Sequence, residues 1–173
     1  MTNSALNVSS DTIHLSYCTT GLANTEHRKI GGTKLASLTL ADAESVIAGA
    51  RAKMEEMGVK LTISVVDGRG DLIALARVDG ASWRTPYISQ GKAVASATWG
   101  LSSADMASRW TEPIFPGFMA MQGGRFIPSQ GALPIYKDGE LVGAAGGSGG
   151  TPQEDEDCVR AGIEAAAGLV ESA

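Results

Sequence analysis

Two long stretches of the chain carry apolar residues at intervals of three and four, the spacing of one helix face. The first begins with a capping-box sequence at Thr39 and ends before Gly58, so it predicts a helix over residues 40–57. The second begins with another capping box at Thr151 and runs towards the C-terminus. Each predicted helix therefore has an apolar stripe that can pack on a sheet.

Shorter apolar runs predict two β-hairpins. Residues 59–65 alternate between apolar and polar, and residues 72–78 resume an apolar run after a glycine-containing turn, which predicts a hairpin of two buried strands. An Asp-Gly pair, typical of a type I′ turn, joins residues 133–136 to a second arm over residues 139–145. The two hairpins lie far apart in the chain.

Three further segments lie between the hairpins. Residues 85–99 are mostly small and predict a helix that packs closely on a sheet, and a short helix capped at Ser102 follows. Residues 111–129 alternate prolines and glycines with large apolar side chains. We expect a long loop there that lines an apolar pocket, packs against another subunit, or does both.

The order of these elements predicts the fold class. Because the strands come as adjacent hairpins instead of alternating with helices, we expect an α+β fold with a central, mainly antiparallel sheet and helices packed on its faces. The chain of 173 residues is long enough for one domain, which we place at residues 38–173. Residues 1–37 form an extension that is disordered, adds an edge strand or lies across a neighbouring subunit.

Charge and composition exclude several classes of function. Fourteen basic against nineteen acidic residues give a net charge of −5, which disfavours binding to nucleic acid or to an anionic membrane. Residues 1–20 lack the pattern of a secretory signal, and no apolar run has the length of a membrane span, so we expect a cytoplasmic protein. The chain has two cysteines, Cys18 and Cys158, which are too few for a disulfide framework, and we expect both to be free thiols.

A glycine-rich bend at residues 146–150 precedes the last helix, an arrangement that can cradle phosphate. The acidic run at residues 154–157 repels phosphate, however, and no lysine follows the glycines. The sequence favours a structural role in which these glycines allow two backbones to approach closely, with contact to a ligand edge as the alternative. The acidic side chains point around the helix in different directions, so no metal site is predicted.

A few charged side chains are candidates for chemistry. Arg77 ends an apolar strand, where its guanidinium can hold a carboxylate of the protein or of a ligand. Lys92, on an alanine-rich helix, either reaches solvent or points into a cleft as an anion partner. Asp155, Glu154 and Glu112 are candidate general bases, provided that burial raises the pKa of the carboxyl group. A Ser-His-Asp or Cys-His arrangement is not indicated, because both histidines lie in the extension.

An apolar slot combined with basic side chains suits a large planar ligand that bears carboxylates. The candidate slot residues are Phe115, Phe118, Met119 and Met121. If such a ligand carries a metal, its axial ligand would come from His14, His27 or the methionine-rich loop. The alternative for the two histidines is that solvent surrounds them.

Several short motifs, in this order and spacing, resemble the GlcG/HbpS-like family over about residues 38–170. They are Leu38-Thr39-Leu40-Ala41, Val65-Val66-Asp67-x-x-Gly70, Arg77-x-Asp79-Gly80-Ala81, Lys92-Ala93, Pro134-Ile135 and Gly143-x-x-Gly146-x-Ser148-Gly149, with Asp155 beyond them. The resemblance implies a profilin-like fold, hexamers or octamers, and in some members binding of haem or a corrinoid. It adds Gly131, Pro134 and Ser148 as candidate cofactor-binding residues.

The chain departs from that family at two places: Gly131-Ala132-Leu133 stands where a Gly-Gly pair usually precedes the Pro-Ile pair, and the extension replaces the secretion signal of exported relatives. Three functions stay open. The first is a small-molecule binding protein, for haem or another planar carboxylate. The second is a catabolic enzyme, of hydrolase, lyase or isomerase type, that acts on a small carboxylated metabolite and uses Arg77 as clamp, Lys92 as oxyanion partner and an acidic base. The third is a purely structural assembly module.

Overall fold

The structure, a computed structural model, describes residues 36–172, which form five helices and four strands. In chain order these are α1 (Leu40–Met57), β1 (Thr62–Asp67), β2 (Leu72–Arg77), α2 (Thr85–Trp99), α3 (Ser103–Ala107), α4 (Ile114–Met121), β3 (Ala132–Lys137), β4 (Glu140–Ser148) and α5 (Pro152–Ala165). The strands pair antiparallel in the order β2-β1-β4-β3. This confirms the predicted α+β class. Residues 1–35 lie outside the described part, so the predicted extension stays a prediction.

Both predicted capping boxes are present. The Thr39 hydroxyl accepts a hydrogen bond from the backbone N–H of Asp42 at 3.1 Å, and the Asp42 carboxylate accepts from the N–H of Thr39 at 2.9 Å. Thr151 and Glu154 form the same reciprocal pair at the start of α5. The hydrogen bonds with Thr39 hold the pKa of the Asp42 carboxyl below its ordinary value. Local sequence therefore sets where α1 and α5 begin.

The two faces of the sheet carry different helices. Thr62 and Ser64 of β1 reach α2, because their hydroxyls hydrogen-bond Thr85 at 2.6 Å and Ser89 at 2.7 Å. The alternate residues of β1 point the other way, into the main apolar core beneath α1 and α5. These core residues include Leu61, Ile63, Val65, Val46, Met54, Val159 and Ile163. Strand β1 is therefore buried on both faces.

Strand β2 differs from its prediction as a buried strand. It forms one edge of the sheet, and three of its residues are exposed: Leu72, Leu75 and Arg77. Helix α2 packs on β1, β3 and β4 but has few contacts with β2. Only one face of β2 is therefore covered. The inner face, which is turned towards α1, packs on the main core, whereas the opposite, outer face is exposed.

Residues 111–129 are only in part the loop that the sequence predicts. They contain α4 (Ile114–Met121), whose apolar residues recur three and four apart. Pro116 is tolerated because it lies in the first turn, where backbone N–H groups have no helical partner. The prolines and glycines of this segment favoured a loop, although its apolar residues have the spacing of a helix.

Within residues 36–172, none of the helices has the length and hydropathy needed to cross a membrane.

Candidate functional site

Lys92 and Asp155 form a buried ion pair between the two layers of helices. The ammonium of Lys92, on α2, donates to Asp155 Oδ2 of α5 at 2.7 Å and to the carbonyl of Gly147 at 3.2 Å. The other oxygen, Asp155 Oδ1, accepts from the backbone N–H of Gly150 at 3.0 Å. Both side chains are about 95% buried, at 5% and 4% exposure. The pair therefore ties α2, β4 and the start of α5 together.

Gly131 leaves the space that this pair occupies. Its φ is +121°, and a Cβ there would lie 2.8 Å from the Lys92 ammonium and 2.7 Å from Asp155 Cβ. Gly147 is equally close to α5, since a Cβ at that position would lie 2.7 Å from the Asp155 carbonyl oxygen. The close backbone approach inferred for residues 146–150 is present at this point. We expect these glycines to be hard to replace, because a methyl group meets buried or backbone atoms.

Burial raises the pKa of the Asp155 carboxyl above its ordinary value, and the hydrogen bond and charge of Lys92 oppose that increase. The Lys92 ammonium is committed to protein acceptors, so it would reach a ligand only if the pair separated. An enzyme site of the predicted kind, with Lys92 against the substrate, would require that opening. Pairing with Asp155 is a structural role that the sequence alone did not suggest.

Cys158 lies one turn further along α5 and is buried. Burial, followed by the negative charge of Asp155, raises the pKa of its thiol to about 11. Because only the thiolate reacts, we expect iodoacetamide at pH 8 to leave Cys158 unmodified in the folded protein and to modify it in urea. Peptide mass spectrometry measures this, with Cys18 as the internal comparison. Rapid alkylation of Cys158 without denaturant would contradict the burial.

Arg77 lies on a different part of the sheet from Lys92. Arg77 pairs with Thr62 of β1, and the Thr62 hydroxyl is hydrogen-bonded to Thr85 of α2. Because paired residues point to the same face, the Arg77 side chain lies on the α2 side of the sheet. Strand β1 separates it from β4, which the Lys92 ammonium contacts; two strand spacings are about 10 Å. Arg77 is exposed and forms no ion pair with any residue in 36–172. It is available to a ligand, whereas Lys92 is not.

Next to Arg77 the outer face of β2 presents apolar side chains. Leu75 pairs with Ser64 and Leu72 with Val66, both of which face α2, so the two leucines share the face of Arg77. Leu72 is 46% exposed and Leu75 36% exposed. This face has no helix over it in the described structure.

One flank of α2 borders this face. Val94 packs at the β1–β2 turn, where a Cβ added to Gly70 would lie 3.3 Å from Val94 Cγ1. Tyr87 and Gln90 lie seven and four residues earlier, on the same flank of the helix. Tyr87 is 72% exposed, which is unusual for a large aromatic side chain. We call the space between the outer face of β2 and this flank the α2–β2 groove.

The loop after α4 closes the end of the α2–β2 groove that lies beside the β1–β2 turn. Arg125 Nη2 donates to the carbonyl of Gly70 at 3.0 Å, which fixes the loop beside the β1–β2 turn. A cavity of about 190 Å³ lies between α2 and this loop, lined by Tyr87, Gln90, Gly91, Gly123, Gly124 and Arg125. The groove thus combines an apolar floor, an exposed phenol and guanidinium groups near both ends.

The predicted slot residues pack mainly on one another. Phe115 is buried, with ring centroids 5.4 Å from Trp99 and 6.0 Å from Phe126, and Phe118 meets Phe126 edge-on at 5.3 Å. Met119 packs on the same cluster, whereas Met121 is exposed. Glu112 pairs with Arg109 at 2.8 Å, and that hydrogen bond lowers the pKa of the Glu112 carboxyl. Nothing in these contacts leaves an open slot among the aromatic rings.

The remaining predicted residues are scattered. Pro134 is buried at the opposite edge of the sheet and lines a separate cavity, whereas Ser148 is buried beside Thr62. His14 and His27 lie outside the described residues, so their predicted role stays a prediction. Sequence reasoning missed Tyr87, Leu75 and Leu72. The signal for Tyr87 was an aromatic residue seven positions before Val94 on a helix of small residues.

The four-stranded antiparallel sheet with helices on its faces places the protein in the α+β class. The family model described as haem degrading protein HbpS-like matches residues 38–164. The chain therefore belongs to the HbpS-like family, which confirms the resemblance found in its motifs.

Individual relatives agree with this assignment. A 15.0 kDa protein in the dhaT-dhaS intergenic region of Citrobacter freundii is 29% identical over 127 residues, covering 70% of this chain and 87% of that protein. Protein GlcG of Escherichia coli K12 is 29% identical over 105 residues, covering 60% and 75%. These matches support the family without identifying a ligand.

Solved structures show the same fold. Protein ORFY of Klebsiella pneumoniae aligns with a TM-score of 0.72 at 25% identity, covering 87% of this chain and all of that chain. A PduOC:haem complex aligns with a TM-score of 0.71 at 21% identity, covering 80% and 100%. HbpS aligns with a TM-score of 0.69 at 24% identity, covering 78% and 93%.

Proposed function

We propose that this protein binds haem, or a similar planar ligand with carboxylate groups, in the α2–β2 groove. The observation that carries the proposal is an exposed apolar face on β2 with Arg77 at one end, in a chain that belongs to the HbpS-like family. The haem bound by a structural relative, PduOC, adds support from the family side. In the groove, an exposed apolar surface and a cation that forms no ion pair within residues 36–172 lie together.

The chemistry of the groove suits such a ligand. Burying a macrocycle face against Leu72 and Leu75 removes apolar surface from water, at about 25 cal/mol per Å². Arg77 can donate two parallel hydrogen bonds to a carboxylate. The Tyr87 ring offers either a stacking surface or a phenol oxygen, and tyrosine is a known axial ligand of haem iron.

Residues 36–172 contain no histidine, because the two in the sequence are His14 and His27. A histidine axial ligand from this chain would therefore have to come from residues 1–35, whereas Tyr87 would supply an oxygen ligand from the flank of α2. When bound, haem would supply an iron atom that can take an axial ligand. The chain's own residues bind its faces and edge, and hold its carboxylates at the exposed end of β2.

Haem titration followed by the Soret absorbance tests the proposal. We expect the wild-type protein to give a saturable Soret shift and Arg77→Gln to bind haem about tenfold more weakly, because one charge-assisted hydrogen bond is worth about 1.5 kcal/mol or more. Leu75→Asp should weaken binding further, since it places a charge on the apolar floor.

Arg51→Gln is the matched control, because Arg51 is an exposed arginine on α1, which packs on the other face of the sheet. Its affinity should equal that of the wild type. The absence of a saturable Soret shift in the wild-type protein would overturn the proposed function. Equal losses in Arg51→Gln and Arg77→Gln would show that only net charge matters, and would remove the groove as the site.

A further inference from the structure

The flank of α2 that borders the α2–β2 groove carries a second large aromatic side chain, Trp83. Trp83 is 74% exposed and Tyr87 is 72% exposed. The backbone N–H of Thr85 donates to the carbonyl of Ser82 at 3.2 Å, and Arg84 has the φ and ψ of a right-handed helix. The helical spacing therefore extends back to Trp83, which lies four residues before Tyr87 on the same flank.

Trp83 lies at the end of the groove where β2 carries Arg77. Thr85, two residues after Trp83, is hydrogen-bonded to Thr62 through the two hydroxyls at 2.6 Å, and Thr62 pairs with Arg77 across the sheet. At the other end of the flank, Val94 packs at the β1–β2 turn. The flank from Trp83 to Val94 is about 16 Å long, and β2 is about 17 Å long. The aromatic flank and the apolar strand thus run side by side along the groove.

We propose that the groove recognises the flat conjugated ring of a tetrapyrrole and not its metal: Trp83 and Tyr87 stack on the ring, and Arg77 holds a carboxylate. This inference rests on the proposed function and narrows its ligands to planar tetrapyrroles, with or without iron. Aromatic side chains prefer offset stacking on other π-systems. Two that are four residues apart lie about 6 Å apart along the helix axis, so one extended ring can contact both. None of these contacts requires an iron atom.

Other ligand classes fit the groove less well. A fatty acid would use Arg77 and the leucines of β2, but it would leave both exposed aromatic faces without a stacking partner. The bases of a nucleic acid also stack on aromatic side chains, yet the net charge of −5 disfavours a polyanion. A planar tetrapyrrole with carboxylates on its edge uses the apolar strand, the aromatic flank and the guanidinium together.

Titration of the full chain with metal-free protoporphyrin IX and with haem, each followed by the Soret absorbance, tests this inference. We expect the two affinities to agree within about threefold, because the ring contacts are the same. Trp83→Leu should weaken the binding of both ligands about tenfold, since leucine keeps an apolar side chain but removes the stacking surface. Trp83→Phe should restore most of the affinity. Sodium oleate at the same concentration should not displace the porphyrin.

Trp110→Leu is the matched control, because Trp110 is also exposed, at 52%, but lies between α3 and α4. It should bind both ligands as the wild type does. If haem binds saturably and protoporphyrin IX does not, the inference fails while the proposed function stands; if neither binds, both fail. Equal effects of Trp83→Leu and Trp110→Leu, or displacement of the porphyrin by oleate, would overturn the inference alone.

Sedimentation velocity separates this inference from a different use of the aromatic flank. If Trp83→Leu lowers the sedimentation coefficient and leaves both porphyrin affinities unchanged, the flank is an interface between copies of this chain, and the inference is wrong. We expect the opposite result, with equal sedimentation coefficients and weaker porphyrin binding.

Discussion

Replacing Lys92 with methionine should lower the free energy of unfolding by about 3–5 kcal/mol, the usual cost of removing one partner of a buried ion pair. Methionine keeps the unbranched side chain up to the ε position but leaves Asp155 Oδ2 without its donor at 2.7 Å. The remaining hydrogen bond from Gly150 satisfies only the other carboxylate oxygen. Urea denaturation of the wild type and the variant at pH 7 measures the difference.

Two variants make the experiment specific. Lys137→Met removes a more exposed ion pair, with Asp42 at 3.2 Å, and should cost less than about 1 kcal/mol. Adding Asp155→Leu to Lys92→Met removes the uncompensated carboxylate, so the double variant should be more stable than Lys92→Met alone. A loss in Lys92→Met no larger than that in Lys137→Met would show that the pair does not hold the layers together.

Replacing Gly146 with alanine should lower the free energy of unfolding by about 2–3 kcal/mol, because the methyl group would overpack the contact between β4 and α2. A Cβ at Gly146 would clash with the carbonyl oxygen of Ser89 and lie 2.9 Å from the backbone nitrogen of Ala93. Both are backbone atoms of α2, so rotation of a side chain cannot relieve the clash. Helix α2 would have to move away from the sheet.

Gly117→Ala is the control, because nothing lies within 4 Å of a Cβ at Gly117, which is inside α4. That substitution should be neutral or stabilising by up to about 1 kcal/mol, since alanine favours a helix over glycine. Because α2 forms one wall of the α2–β2 groove, Gly146→Ala should also weaken haem binding. Equal stabilities of the two glycine variants, by urea denaturation, would contradict the close packing.

The sequence predicted the helix ends and the turn that are set by a few adjacent residues. The box at Thr39, the αL residue Gly58 and the box at Thr151 set the helix ends. Asp138 and Gly139 have φ values of 53° and 79°, as the predicted type I′ turn requires. In each case a few adjacent residues fix the backbone, so the pattern can be read without the tertiary structure.

The candidate site was less predictable, because it depends on contacts between distant residues. Lys92 and Asp155 are 63 positions apart, and neither residue type indicates which carboxylate or amine will be its partner. The exposure of Leu72 and Leu75 depends on where α2 lies over the sheet, which the apolar run of β2 does not encode. Phe115 has the residue type of a ligand slot, yet it is buried in a cluster of its own.

A crystal structure of the protein bound to haem tests the central claim most directly. We expect the macrocycle to lie in the α2–β2 groove, with one face on Leu72 and Leu75 and a carboxylate within hydrogen-bonding distance of the Arg77 guanidinium. The Lys92–Asp155 pair should remain closed. Haem found at the β3 edge or inside the Phe115 cluster, with the groove empty, would contradict the account.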